Sequence, residues 1–155
     1  MVRNGFVCLA EHGEQLRAAD RVVAERALPQ LLRGRFDPPW VRDIAADTRL
    51  PEEQVRQVMA RLARTGDAFQ VVKDLYYHPD VVRELAALAR DIGEKNSAGE
   101  ISAAAFRDAT GLGRKRAIQI LEFFDRIGFL RRVGDSHLVR PGTPLFAADR
   151  PATGP

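Results

Sequence analysis

Gly111-Leu-Gly-Arg-Lys-Arg-Ala-Ile118 joins two predicted helices and decides how the whole chain is organised. Ser102 is a suitable N-cap for the first helix, which we expect to stop at Gly111. That helix would bury Ala105 and Phe106, with Ala109, against the second helix. The second helix begins with three consecutive cations, Arg114, Lys115 and Arg116. The stretch therefore predicts a helix, a tight turn and a helix with a strongly basic start.

The second helix ends before a predicted hairpin. Its apolar residues recur with the period of an amphipathic helix, and Gly128 follows the last of them, where a C-cap needs positive φ. Residues 129–133 and 137–140 then form a two-stranded wing around the turn Gly134-Asp135-Ser136. Helix, turn, helix and hairpin is the order of a winged helix, in which the start of the second helix meets nucleic acid. The apolar positions are Ala117, Ile120, Leu121, Phe124 and Ile127.

The same pattern occurs earlier in the chain at an offset of 62 residues. In the first copy, Pro39 and Pro51 are placed to open two helices. A hairpin follows over residues 69–72 and 75–77, and a third long helix begins at His78-Pro79-Asp80. The fold class is therefore mainly α with small β-hairpin wings (α+β), arranged as tandem winged helices. The matched pairs are Leu50 and Leu112, Val55 and Ala117, Val58 and Ile120, Met59 and Leu121, Leu62 and Phe124, Gly66 and Gly128, and Val71 and Val133.

The repeat divides the chain into two modules and two terminal segments. We place the first winged helix at 14–78 and the second at 79–146. Residues 1–13 are interpreted as the remnant of a preceding winged helix or as a docked strand. Residues 147–155, rich in Pro, Gly and Ala, are expected to be a disordered tail.

The two copies differ in charge where their second helices begin. The first copy has Glu52-Glu53-Gln54 at the positions of Arg114, Lys115 and Arg116 in the second. A helix N-terminus attracts phosphate through its free N–H groups and its dipole, which carboxylates oppose and cations reinforce. We therefore interpret the first module as a structural spacer and the second as the nucleic-acid binder.

Composition supports a soluble protein whose excess charge lies in one half. The net charge is +3; residues 1–95 carry 15 basic and 15 acidic side chains, so the excess falls in residues 96–155. No apolar run approaches the roughly 18 residues that a membrane span needs, and no signal peptide is evident. We expect a cytoplasmic monomer that contacts no membrane.

Enzymatic chemistry finds no support in the sequence. His12, His78 and His137 lack metal-ligand spacing, and Cys8, the single cysteine, has no evident base partner. A phosphate-binding G-x-x-x-x-G-K-[ST] loop is also absent. We therefore expect no catalytic residue, metal or cofactor in this chain.

The run from Thr110 to Asp135, followed by His137-Leu-Val-Arg140, resembles the last winged helix of the bacterial selenocysteine-specific translation elongation factor. Asp74-Leu-Tyr-Tyr-His78 is similar to that family's junction between its third and fourth winged helices. The resemblance covers about residues 14–146. It implies binding of an mRNA hairpin that recodes a UGA codon, with the ribosome as a further partner of the full-length protein. The family's N-terminal GTPase, which carries selenocysteyl-tRNA, has no counterpart here, so the resemblance implies a C-terminal fragment.

A binding site follows as a hypothesis. Arg114, Lys115 and Arg116 would hold phosphates of the hairpin loop, and Gly113 would allow the backbone close approach. Asp135 at the wing tip would accept a hydrogen bond from a base amino group. The wing would extend the contact through Arg131, Arg132, His137 and Arg140.

Two rival functions stay open at the sequence level. A DNA-binding transcription regulator would use the same helix, but such proteins usually dimerise, and two unlike copies argue against a palindromic site. A protein-interaction scaffold is the other alternative. The acidic helix start of the first copy and Trp40 would suit that role.

Overall fold

The computed structural model describes residues 18–142 as two successive copies of one arrangement. The sequence-based predictions for residues 1–13, for 147–155 and for the first turn of the opening helix lie outside the described residues. The first copy contains α1 (Ala18–Gly34), α2 (Val41–Thr48), α3 (Glu52–Arg64), β1 (Phe69–Val72) and β2 (Leu75–Tyr77). The second contains α4 (Pro79–Lys95), β3 (Ile101–Ser102), α5 (Ala103–Thr110), α6 (Arg114–Arg126), β4 (Leu130–Val133) and β5 (Ser136–Val139). The predicted tandem winged-helix fold is confirmed.

Local chemistry fixes the boundaries of α5 and α6. The Ser102 hydroxyl accepts a hydrogen bond from the Ala105 backbone N–H at 3.0 Å, which caps α5 as predicted. Gly111 ends α5 with φ of 75°, and Gly128 follows α6 with φ of 88°. Both angles lie in the left-handed region that favours glycine.

The predicted apolar face of α6 is buried, and one detail of α5 differs. Phe106 is buried against α6, whereas Ala105 is only half-buried and Ala109 is exposed. The helix is two turns long, so only its central aromatic residue reaches the core. The α6 residues in the core are Ala117, Ile120, Leu121, Phe123 and Phe124, while Ile127, just after the helix, is only partly buried.

The predicted hairpin of the second module is confirmed as β4 and β5, and its sheet has a third strand that was not predicted, in the order β3-β5-β4. Ile101 pairs with His137 on the free side of β5, just before α5 begins. In the first copy the same place holds a single bridge between Trp40 and Leu75. Pro39 precedes that bridge and has no N–H to donate, so no longer pairing forms there.

The two prolines predicted to open helices in the first module lie just before those helices. Pro39 does not open α2; Trp40 occupies the N-cap position and the helix begins at Val41. Pro51 occupies the N-cap of α3, which begins at Glu52. Trp40 packs against the core of the second module, and Pro29 lies within α1.

The two modules share part of their apolar core. One buried cluster lies within the first module, among α1, α2 and α3. The other combines the second module with Val71, Leu75 and Tyr77 from the hairpin of the first. The first hairpin is therefore a structural part of the second module's core, and the junction at His78 is not the only connection.

Candidate nucleic-acid interface

The start of α6 presents two cations to solvent that have no ion-pair partner within residues 18–142. Gly113 occupies the N-cap in an extended conformation and has no side chain with which to cap the first N–H groups. Arg114 and Lys115 are the next two residues, and both side chains are exposed. The positive end of the helix dipole and both cations therefore coincide, as an anion site requires.

Arg116, the third cation of the run, has intramolecular partners instead. Its Nη1 atom donates to Asp37 Oδ1 at 3.0 Å and to the Tyr77 hydroxyl at 3.2 Å. The guanidinium also lies 5.6 Å from the ring centroid of Trp40. Burial lowers the pKa of Arg116, but the hydrogen bonds that Arg116 donates to Tyr77 and Asp37 raise it, and the resulting pKa lies above the usual value. Its side chain is 16% exposed, so Arg116 faces the first module rather than solvent.

Tyr77 supports this contact from the first module. Burial raises the pKa of Tyr77 above its ordinary value, so the phenol stays protonated at neutral pH. Its hydroxyl can therefore donate to the Phe36 carbonyl at 2.8 Å while accepting from Arg116. The phenol of Tyr77 is therefore hydrogen-bonded to Phe36 in the first module and to Arg116 in the second.

One edge of α6 is attached to the first module along its whole length. Phe123 lies two turns after Arg116 and packs edge-to-face on Phe69, with ring centroids 6.1 Å apart. Arg126 Nη2 then donates to the Val71 carbonyl at 2.7 Å.

A second edge of α6 faces the wing. Asp125 Oδ1 lies 2.9 Å from His137 Nδ1 on β5, so this edge and the wing are joined near the helix C-terminus. Arg114 and Ile118 lie on the same edge, at i−11 and i−7 from Asp125. His137 is only 6% exposed and its ring is bonded to Asp125, so it is positioned to hold the wing, not to contact a ligand.

Two shallow open grooves lie on the second module, with volumes of about 440 and 560 Å³. The larger one follows the solvent side of α6 and begins at the two free cations. Sequence reasoning identified its basic end but missed the rest, which follows the cations at helical spacing. The further lining residues are Ile118, Gln119 and Glu122.

The corresponding region of the first module is occupied by an ion-pair cluster. Arg56 stands where α6 has Ile118, and its Nε atom donates to Asp74 Oδ1 at 2.8 Å in the β1–β2 turn. The same guanidinium bonds Glu52 and Glu53 at 3.0 and 2.6 Å. Hydrogen bonds from Arg56 hold the pKa of Asp74 below its usual value, so the carboxylate stays charged. Helix and hairpin tip are therefore tied together in the first copy.

The wing cations point to different faces of the sheet. Arg132 pairs with His137, which packs towards α6, whereas Arg131 pairs with Leu138 on the opposite face. Arg132 Nε donates to the Gly134 carbonyl at 3.0 Å, which holds its side chain over the turn. Asp135 is exposed in that turn, and Arg140 is exposed just after β5. Among the predicted site residues, the structure brings Arg114 and Lys115 together on α6; of the two arginines on β4, it directs only Arg132 towards that helix.

Residues 18–142 contain neither a candidate metal site nor a candidate membrane span. No group of three or more His, Cys, Asp or Glu side chains in this part of the chain is arranged to hold a metal ion. Nor does any of its helices have the length and apolar character to cross a membrane.

Comparisons with known proteins agree on one family. A family model described as "Selenocysteine-specific elongation factor, winged helix domain" matches residues 23–77, and one described as "Elongation factor SelB, winged helix" matches residues 95–139. The selenocysteine-specific elongation factors of Escherichia coli and Haemophilus influenzae are 41% and 31% identical to this chain, and each match covers 88% of it. The chain spans about a fifth (22%) of the length of each of these relatives.

A solved structure extends the comparison to three dimensions. It is the mRNA-binding domain of elongation factor SelB from E. coli in complex with SECIS RNA. The match has a TM-score of 0.72 and 41% identity, and it covers 81% of this chain and 99% of the solved one.

Proposed function

Because this chain belongs to the selenocysteine-specific elongation factor family, we propose that it binds an mRNA hairpin of the selenocysteine insertion type. The second winged helix carries the binding site. Arg114 and Lys115 hold backbone phosphates at the start of α6, and Arg132 adds a contact from the wing. The binding itself requires no catalysis and no cofactor.

The single observation that carries this proposal is the contrast between the two copies of one scaffold. In the second module the cations at the helix start are exposed and a groove continues along the helix. In the first module Arg56 bonds Glu52, Glu53 and Asp74 across the same place. Phosphate therefore meets two exposed cations in the second copy, whereas in the first copy it meets three carboxylates that share a single guanidinium.

The groove suits the unpaired part of a hairpin. A-form RNA has a deep and narrow major groove, which side chains cannot read, so recognition falls on loop or bulged bases. Ile118 offers an apolar surface for a base face, and the Gln119 amide and Glu122 carboxylate offer polar partners for a base edge. The cations at the groove's end would hold the phosphates beside that base.

We would test this function by titrating a labelled mRNA hairpin and a duplex DNA of equal length against the protein across a salt series. The double variant Arg114→Ala/Lys115→Ala should weaken hairpin binding. It should also reduce the magnitude of the slope of log K against log salt by about 2, roughly 1 for each lost phosphate contact. Arg132→Ala should reduce the slope by up to about 1.

A charge-matched control separates the site from general electrostatics. Arg26 and Arg33 lie on the exposed side of α1 in the first module, and alanine at both removes the same two charges. This double variant should leave the hairpin affinity and the salt slope close to those of the wild type. An equal loss of affinity in both double variants would contradict a site at α6.

The rival functions correspond to other outcomes of the same titration. A preference for the DNA duplex would favour a transcription regulator. Weak binding to both nucleic acids, unchanged by the substitutions, would favour a scaffold for protein partners. The further roles of the family's full-length proteins, recoding of UGA on the ribosome in the cytoplasm, are part of the proposal and depend on hairpin binding.

A further inference from the structure

Arg116 belongs by sequence to the basic start of α6, but its geometry differs from that of its two neighbours. Its guanidinium is held by three groups of the first module: the Asp37 carboxylate, the Tyr77 hydroxyl and the face of Trp40. The side chain is 16% exposed, although Asp37 itself is 74% exposed. A phosphate could bind Arg116 only by displacing these partners, one of which is a carboxylate.

The contact lies at one end of a line of contacts between α6 and the first module. Phe123 on Phe69 forms the middle, and Arg126 on the Val71 carbonyl forms the other end. Removing the Arg116 contact would leave the N-terminal turn of α6 without its polar contacts to the first module, while the contacts of Phe123 and Arg126 and the shared apolar core would remain. The N-terminal turn, which carries Arg114 and Lys115, would then be free to move relative to the first module.

The geometry points to Arg116 as a positioning residue that fixes the start of α6 against the first module and contacts no RNA itself. The inference rests on the proposed function, because the affinity that it explains is affinity for the hairpin. The first module thereby acts as a rigid support for the binding helix. Of the three cations that the sequence predicts to contact phosphate, Arg114 and Lys115 would do so, and Arg116 would hold the helix in place.

Substitutions on the two sides of the contact distinguish positioning from direct binding by the sign of their effects. If Arg116 held a phosphate, Asp37→Ala would release the guanidinium, remove a repulsive carboxylate and tighten hairpin binding. If Arg116 positions α6, Asp37→Ala should weaken binding, as Arg116→Ala does. Asp37 is exposed, so its substitution leaves the fold intact.

The salt dependence gives a second distinction. We expect Arg116→Ala to raise the Kd for the hairpin about tenfold, as it would if the aligned state fell to roughly one-tenth of the population. The salt slope should stay within about 0.3 of the wild-type value, because no phosphate contact is lost. A slope reduced by about 1, or a tighter complex with Asp37→Ala, would overturn the inference.

A measurement without RNA tests positioning independently of the proposed function. Residual dipolar couplings of the free protein should fit one alignment tensor for both modules in the wild type. In Arg116→Ala the couplings of the first turn of α6 should depart from this common tensor, while Arg26→Ala/Arg33→Ala should behave as the wild type. Couplings of that turn that still fit the common tensor in Arg116→Ala would refute positioning. If the variant shows this departure but the wild type shows no preference for the hairpin, the proposed function alone is refuted.

Discussion

Val71 and Val133 offer a matched test of the core shared by the two modules. They occupy the same position of the repeat, 62 residues apart, and each belongs to the first strand of its hairpin. Val71 is 1% exposed and belongs to the core cluster of the second module, whereas Val133 is 38% exposed at the wing tip. Val71 lies at an irregularity of the β1–β2 pairing and Val133 pairs with Ser136, but strand propensities span only about 1 kcal/mol, so a larger difference between the variants reports burial.

The expected magnitude follows from the side-chain atoms that are removed. Val71→Ala deletes two buried methyl groups, worth about 1.6 kcal/mol at roughly 0.8 kcal/mol each, and a cavity term adds to this. We expect a loss of about 2 kcal/mol for Val71→Ala and about 0.5 kcal/mol for Val133→Ala. Urea unfolding followed by circular dichroism measures both, and the midpoint of Val71→Ala should fall by about 1 M.

The result that would refute this reasoning is equality of the two variants. If both lost the same free energy of unfolding within about 0.5 kcal/mol, Val71 would not be part of a core that spans the modules. Unfolding of the wild type in two separate transitions would contradict the shared core directly, because a common core predicts one cooperative transition.

Three further outcomes are expected. The pKa of Asp74 is lowered by Arg56, so its contribution to stability is present above the unfolded-state pKa and is lost as the pH falls through the folded-state pKa. Urea unfolding of Asp74→Asn should therefore show a deficit at pH 7 that shrinks as the pH falls through the folded-state pKa of Asp74, and a deficit constant with pH would contradict this. Arg49 has φ of 59° where the second copy has Gly111, so Arg49→Gly should raise the stability by roughly 0.5 kcal/mol; a loss above 1 kcal/mol would refute the strain argument. Ser102→Ala should cost about 1 kcal/mol through the lost helix cap, and unchanged thermal unfolding would show that the cap contributes nothing.

The repeat shows how far sequence alone reaches. The period of the apolar residues, the capping Ser102 and the glycines after each helix are local signals, so they predicted the helices, the hairpins and the charge contrast between the copies. The third strand was missed, because two residues, Ile101 and Ser102, give no alternating pattern. The strand forms only because β5 offers it a free edge.

The candidate site also combines features that the sequence determines with features that only the tertiary structure determines. The sequence by itself determined that three cations open α6 and that the first copy has carboxylates there, since both facts depend on residue type and helical register. Only the tertiary structure decided that Arg116 bonds Asp37, 79 residues away, and that His137 bonds Asp125. Three adjacent residues on a helix point about 100° apart, so adjacent charges face different neighbours. Which neighbour each one meets is set by how the modules pack, and neither composition nor spacing contains that information.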